Sequence, residues 1–205
     1  MKTGVAEIDA LLNQLDKKFG SETKYLPDAW QAVSTGSTRF DYATGIGGIP
    51  KGGITEIYGW ESSGKTSLAF QILARAQALR KEQGITDKRD LIIDLEHTMT
   101  KQFIEGFGID MEQIIWRRPD SAEEAFQYVV DLPKSGKIDM CIFDSIDGAQ
   151  NALQLSRDIG ATDVGGVSKL TSDVMRRISK YSNTTFIFIN QVRQNPGVAF
   201  GNQLC

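Results

Sequence analysis

Apolar residues Val5, Ile8, Leu12, Leu15 and Phe19 recur at alternating three- and four-residue spacing, with Glu7, Asp9, Asp16, Lys17 and Lys18 mostly on the other side. That period predicts a short amphipathic helix over residues 4–19. Its apolar face either packs on its own core or docks on a neighbouring subunit, and the polar segment Gly20 to Asp28 suits a swinging linker. From Ser34 onward the pattern changes: short apolar runs alternate with helical stretches, the signature of βαβ units. The expected fold is α/β, a mainly parallel sheet flanked by helices, preceded by the N-terminal helix. Strands are expected at Thr55–Tyr58, Leu91–Leu95, Ile114–Trp116, Met140–Phe143 and Thr185–Ile189. Helices are expected at about residues 66–82, 101–106, 121–132 and 168–181. Ser121-Ala-Glu-Glu124 has the form of a capping box at the start of the third. The glycine-rich stretch from Thr44 to Gly53 reads as a loop entering the core. The chain therefore divides into a helix and linker over 1–33 and an α/β core over 34–205, without internal repeats.

Composition adds limits. A chain of 205 residues, 40% hydrophobic and 24% charged, is long enough for one principal domain with a real core. A net charge of -3 leaves no global attraction for nucleic acid, so any such contact must come from a local patch. Two cysteines make no disulfide framework, and Cys141 sits in an apolar run, which points to a reducing, cytoplasmic setting. No 18-residue apolar stretch and no basic-then-apolar leader is present, which argues against a membrane span or a secretory signal.

The candidate chemistry starts where an apolar run turns through Gly59, Trp60, Glu61, Ser62, Ser63 and Gly64 into Lys65, Thr66 and Ser67. This is a phosphate-binding loop between a strand and a helix. The two glycines allow backbone N–H groups to converge on phosphates at a helix N-terminus. Lys65 would hold the β/γ-phosphates and the Thr66 hydroxyl would hold Mg²⁺. Met140-Cys-Ile-Phe-Asp144 is an apolar strand ending in a carboxylate that would steer Mg²⁺ beside that loop. Leu91-Ile-Ile-Asp-Leu-Glu96 is a second, whose Glu96 could deprotonate a water, with Asp94 as a structural acceptor. His97, the single histidine, would shape the loop. Thr185-Phe-Ile-Phe-Ile-Asn-Gln191 ends in amides: Gln191 either contacts the γ-phosphate or is a polar strand end.

Val33-Ser-Thr-Gly-Ser, Gly45-Ile-Gly-Gly-Ile-Pro-Lys-Gly, the phosphate loop, Asp94-Leu-Glu-His97, Phe188-Ile-Asn-Gln-Val-Arg193 and Gly197-Val-Ala-Phe-Gly-Asn202 follow in order across the chain. Together they resemble the bacterial and phage RecA recombinases. The resemblance implies a P-loop ATPase core that binds ATP and Mg²⁺, polymerises as a helical filament on single-stranded DNA and promotes strand exchange in recombination and repair. It implies Lys65, Glu96 and Gln191 in catalysis, with Glu96 the base and Gln191 the γ-phosphate sensor. Thr66 and Asp144 would complete the metal site, and Phe103 would stack on adenine. Thr100 stands where the family often has an aspartate, and Trp60 where it commonly has a proline. Segment 156–166, with Arg157, matches the family's first DNA-binding loop, and Arg193 follows Gln191 toward the second. Lys169, Ser172 and Arg176 share one helix face, which is either a row of phosphate contacts or a solvated face. The N-terminal helix resembles the family's polymerisation element.

The chain stops at Gly201-Asn-Gln-Leu-Cys205, inside what resembles the second DNA-binding loop. The family's remaining strands and C-terminal domain are absent from it, so the expectation is marginal stability, aggregation or a partner polypeptide that supplies the missing part. The rival expectations are a nucleotide-binding filament module without turnover and a RecA-fold ATPase outside recombination.

Overall fold

A computed structural model describes residues 6–19, 31–149, 166–181 and 183–192. The chain divides into two compact units, residues 1–30 and 31–205. In the first, α1 (Ala6–Phe19) carries Glu7 and Asp9 in its first turn and Lys17 and Lys18 in its last, which suits the helix dipole. Its apolar residues Ile8, Leu11, Leu12 and Leu15 are exposed.

In the second unit, five parallel strands lie in the order β3-β7-β6-β4-β5. They are β3 (Ile54–Gly59), β4 (Arg89–Asp94), β5 (Ile114–Arg117), β6 (Ile138–Asp144) and β7 (Thr185–Gln191). A separate antiparallel pair joins β1 (Ala32–Val33) to β2 (Ile49–Pro50). The helices are α2 (Thr38–Ala43), α3 (Lys65–Glu82), α4 (Lys101–Glu105), α5 (Ala122–Asp131) and α6 (Gly166–Ile178).

Alternation along the strands sorts the core into two layers. Ile92, Met140, Ile142, Ile187 and Ile189 meet Ala69, Phe70, Ile72, Leu73 and Ala76 of α3. Leu91, Ile93, Cys141, Phe143, Phe186 and Phe188 meet α5 and α6 on the other face. There the Phe126 and Phe143 rings stack with centroids 4.9 Å apart. Both faces are covered, so the central strands read as continuous apolar runs. β3 lies at the edge of this sheet among the described residues, and its residues are exposed or half-buried in alternation.

The strands run further than their apolar runs predict, for physical reasons. β4 and β6 begin earlier, through Arg89-Asp90 and Ile138-Asp139, because a buried guanidinium takes up both acids. Arg80 of α3 donates to Asp90 Oδ1 at 2.8 Å and to Asp139 Oδ2 at 2.6 Å. This pairing ties the end of α3 to the amino ends of the strands, away from the site described below. β7 extends to Gln191 because it pairs with Gly59 of β3. The expected capping box is half formed. Ser121 Oγ accepts from Glu124 N at 3.1 Å, whereas the Glu124 carboxylate accepts from Asp120 N at 3.4 Å, one residue before the cap. In the glycine-rich loop, Gly48 passes so close to Val33 that a β-carbon there would stand 2.0 Å from the Val33 carbonyl oxygen.

Candidate functional site

The register of the parallel sheet brings four strand ends to one edge. Gly59 pairs with Gln191, Asp144 with Ile189 and Asp94 with Asp144. A cleft of about 310 Å³ opens over these carboxyl ends, lined by residues 61–67, Glu96, Asp144, Ile189 and Gln191. This is the crevice that open α/β sheets offer to ligands.

The loop from Gly59 to Gly64 leaves β3 and enters α3 through left-handed backbone at Ser62 (φ 58°) and Gly64 (φ 86°). Glu61, Ser62, Ser63, Gly64, Lys65, Thr66 and Ser67 all face the cleft. Gly59 and Trp60 stand outside its lining and contribute their carbonyls: Lys65 Nζ donates to Gly59 O at 3.0 Å and to Trp60 O at 2.8 Å. The Lys65 side chain is 9% exposed and the Trp60 ring about half exposed.

Across the cleft, Thr66 Oγ1 donates to Asp144 Oδ2 at 2.7 Å. Glu96 Oε1 accepts from Ser145 Oγ at 2.5 Å and from Gln191 Nε2 at 3.1 Å. Asp94, fully buried, is held by Arg118 Nε at 3.0 Å. His97 Nε2 lies 3.4 Å from Pro119 O.

Burial pushes the Asp144 carboxyl up to about 6. The Thr66 hydroxyl and Lys65 oppose the rise, and the charges of Glu96 and Asp94 add to it. A raised acid binds protons in the folded state that it has lost in the unfolded one, so ionisation costs stability as pH climbs from about 4 past 6. The cost is roughly 2–3 kcal/mol at most. Asp144→Asn, which keeps an oxygen for Thr66, is therefore expected to raise the unfolding midpoint of the ligand-free chain at pH 7.5 by about 5 °C. The gain vanishes near pH 4, as thermal melts at the two pH values would show. A lower midpoint at pH 7.5 would mean that the carboxylate is stabilised where it stands.

Among the described residues no group of three or more His, Cys, Asp or Glu side chains is arranged to hold a metal on its own. The Thr66 hydroxyl against the buried Asp144 carboxylate does fit a Mg²⁺ that takes its other ligands from phosphates and water.

Other expected site residues fall elsewhere. Phe103, 44% exposed, packs on Phe70 and Phe107 with centroids 5.9 and 5.4 Å away and is outside the cleft lining. Thr100 caps α4, its hydroxyl accepting from Phe103 N at 3.2 Å. Lys169, Ser172 and Arg176 are exposed on α6, where Arg176 donates to Asp173 at 2.6 Å. Arg157 and Arg193 lie outside the described residues. Sequence reasoning missed Ser145 and Arg118. Ser145 directly follows the strand-ending Asp144, which was the available signal; nothing in sequence marks Arg118.

The family described as RecA N-terminal domain matches residues 6–204. Protein RecA of Ruminococcus albus is 39% identical, covering 84% of this chain and 42% of that protein. Protein RecA of Aquifex pyrophilus is 36% identical and that of Acinetobacter baumannii 38%, each covering 95% of this chain and 56% of the relative. The chain thus spans about half the length of the curated relatives it matches.

Proposed function

The chain belongs to the RecA family, and from that premise we propose that it is an ATP-dependent, single-stranded-DNA-binding recombinase of the cytoplasm, acting in homologous pairing and strand exchange. The observation that carries the ATPase part is the Thr66–Asp144 hydrogen bond beneath the phosphate loop, with Glu96 on the same cleft. Lys65 exchanges the carbonyls of Gly59 and Trp60 for β/γ-phosphate oxygens. The N–H groups of the loop and of the first turn of α3 receive the remaining phosphate charge. Mg²⁺, held by Thr66 and steered by Asp144, supplies charge neutralisation on the phosphates. Glu96 orients a water and takes its proton. Both described hydrogen bonds to Glu96 fall on Oε1, which leaves Oε2 for that proton. Gln191 shares Glu96 Oε1, so a γ-phosphate that drew the Gln191 amide away would alter the base and the segment after β7 together. Phe103 offers the adenine a half-exposed ring face.

The segment 1–33 serves as the oligomerisation helix and linker, 34–205 as the ATPase core, and copies assemble as a helical filament. DNA contacts come from Arg157, Lys169, Ser172, Arg176 and Arg193. No helix among the described residues is long and apolar enough to cross a membrane.

The test is the ATP hydrolysis rate of the purified chain with and without single-stranded DNA. DNA-stimulated turnover supports the recombinase-type reading. Tight nucleotide binding without turnover under either condition replaces it with a nucleotide-holding module. Lys169→Ala with Arg176→Ala is expected to weaken single-strand binding and to flatten its log–log salt slope by about 1–1.5, two phosphate contacts' worth. Arg176 pairs with Asp173 at an exposed site, where such a pair contributes little and yields readily to phosphate. An unchanged slope assigns this row to solvent.

A further inference from the structure

The segment that carries Glu96 has little holding it from within. Leu95 N donates to Asp144 O at 2.8 Å, the last hydrogen bond of the ladder between β4 and β6. Beyond it, among the described residues, no backbone–backbone hydrogen bond holds residues 96–99, and regular structure resumes only at the Thr100 cap of α4. His97, within this stretch, has left-handed backbone at φ 55°.

What spans the stretch is one side chain from the neighbouring strand connection. Arg118 follows β5, which pairs with β4. Its Nε donates to Asp94 Oδ2 at 3.0 Å, just before the Glu96 segment, and its Nη2 donates to the Met99 carbonyl at the far end. The guanidinium carbon lies 4.6 Å from the Trp116 ring centroid, so the fork is stacked as well as bonded. The adjacent Pro119 carbonyl lies 3.4 Å from the His97 ring, a further tie in the same direction. Asp94 is fully buried and its Oδ1 has no hydrogen-bond partner, so Arg118 is the ion-pair partner that compensates its burial.

We propose that Arg118 is a positioning residue for Glu96: it staples both ends of the 94–99 segment and so holds the carboxylate at the cleft wall where Ser145 and Gln191 meet it. The catalytic half of this inference rests on the reading of Glu96 as the base. A guanidinium meets the two acceptors with two nitrogens fixed in one plane, a geometry that the single nitrogen of lysine does not reproduce.

The experiment compares the full chain with Arg118→Ala and Arg118→Lys by amide hydrogen exchange and by ATP turnover, each with and without Glu96→Ala. Arg118→Ala is expected to speed exchange by at least about tenfold at the bonded amides that flank the segment, Leu95 and Ile104, while exchange in α3 stays unchanged. Turnover falls about tenfold with KM for ATP within twofold, and Arg118→Lys is intermediate in both. On the Glu96→Ala background, Arg118→Ala lowers turnover no further. Unchanged exchange at Leu95 and Ile104 overturns the staple. So does a rise that extends equally through α3, because Arg118 would then support the fold at large, and so does a turnover loss that persists without Glu96. If Glu96→Ala alone hydrolyses ATP at the parent rate, the reading of Glu96 as the base fails, and the exchange data still decide whether the staple exists.

Discussion

Replacing Glu96 by alanine is expected to lower DNA-stimulated ATP hydrolysis by about 10²–10⁴-fold, the usual contribution of a positioned general base. Nucleotide affinity should stay within a few-fold of the parent. The separation follows from geometry. Glu96 lines the cleft just beyond β4 and accepts hydrogen bonds from Ser145 and Gln191, whereas the groups proposed to hold phosphate lie on the loop after β3 and at the start of α3. Its removal also takes away one of the negative charges that raise the Asp144 carboxyl. Asp144 therefore ionises at lower pH in the variant, and Mg²⁺-dependent nucleotide binding near pH 6 should strengthen, not weaken. Single-turnover hydrolysis and a fluorescent-nucleotide titration, each at pH 6 and 7.5, read both effects. Parent-like hydrolysis would remove Glu96 from the chemistry. A large loss of affinity would make it a structural support of the cleft.

The parts of this protein that can be read from its sequence are those in which one residue's role follows from its place in a run. β4, β6 and β7 are buried on both faces, so each shows a central apolar run, and each leads to a polar group that lines the cleft: Glu96, Asp144 and Gln191. The phosphate loop is legible because its glycines and Lys65-Thr66 are contiguous. The β1–β2 pair is not, because two-residue strands have no period, and α2 is not, because it buries none of its residues. The early starts of β4 and β6 escaped for a different reason. Asp90 and Asp139 look like the polar residues of a loop before each apolar run until Arg80, 10 residues before one and 59 before the other, is seen to pair with both. Arg118 belongs to the same class. Its importance comes from the order β6-β4-β5, which sets the residue after β5 against both ends of the Glu96 segment, and strand order is a tertiary property. Phe103 shows the converse. Its aromatic character was evident, yet its ring also packs against Phe70 and Phe107, contacts that no local pattern marks.

Lys65→Ala is expected to weaken binding of both Mg-ATP and Mg-ADP by about 10²–10⁴-fold, corresponding to two charge-assisted hydrogen bonds at roughly 1.5–3 kcal/mol each. The folded chain itself should lose little. Without nucleotide the ammonium is bonded to the carbonyls of Gly59 and Trp60, and Trp60 stands half exposed, so water can take the ammonium's place on those oxygens. A stability change of about 1 kcal/mol or less is therefore expected in the ligand-free state. These two carbonyl contacts keep Lys65 from being an unpaired buried charge, and under the proposed reading a phosphate would outcompete those neutral oxygens by its charge. Lys65→Arg should rescue poorly, since the longer, planar guanidinium cannot set a single nitrogen where Nζ meets both carbonyls. Calorimetric titration with each nucleotide, alongside thermal melts without it, separates the outcomes. Retained affinity in Lys65→Ala would sink the assignment of this cleft to nucleotide phosphates. Lost affinity with an intact melt places the loss in the ammonium itself, since the loop, α3 and the Thr66–Asp144 pair would all still be in place.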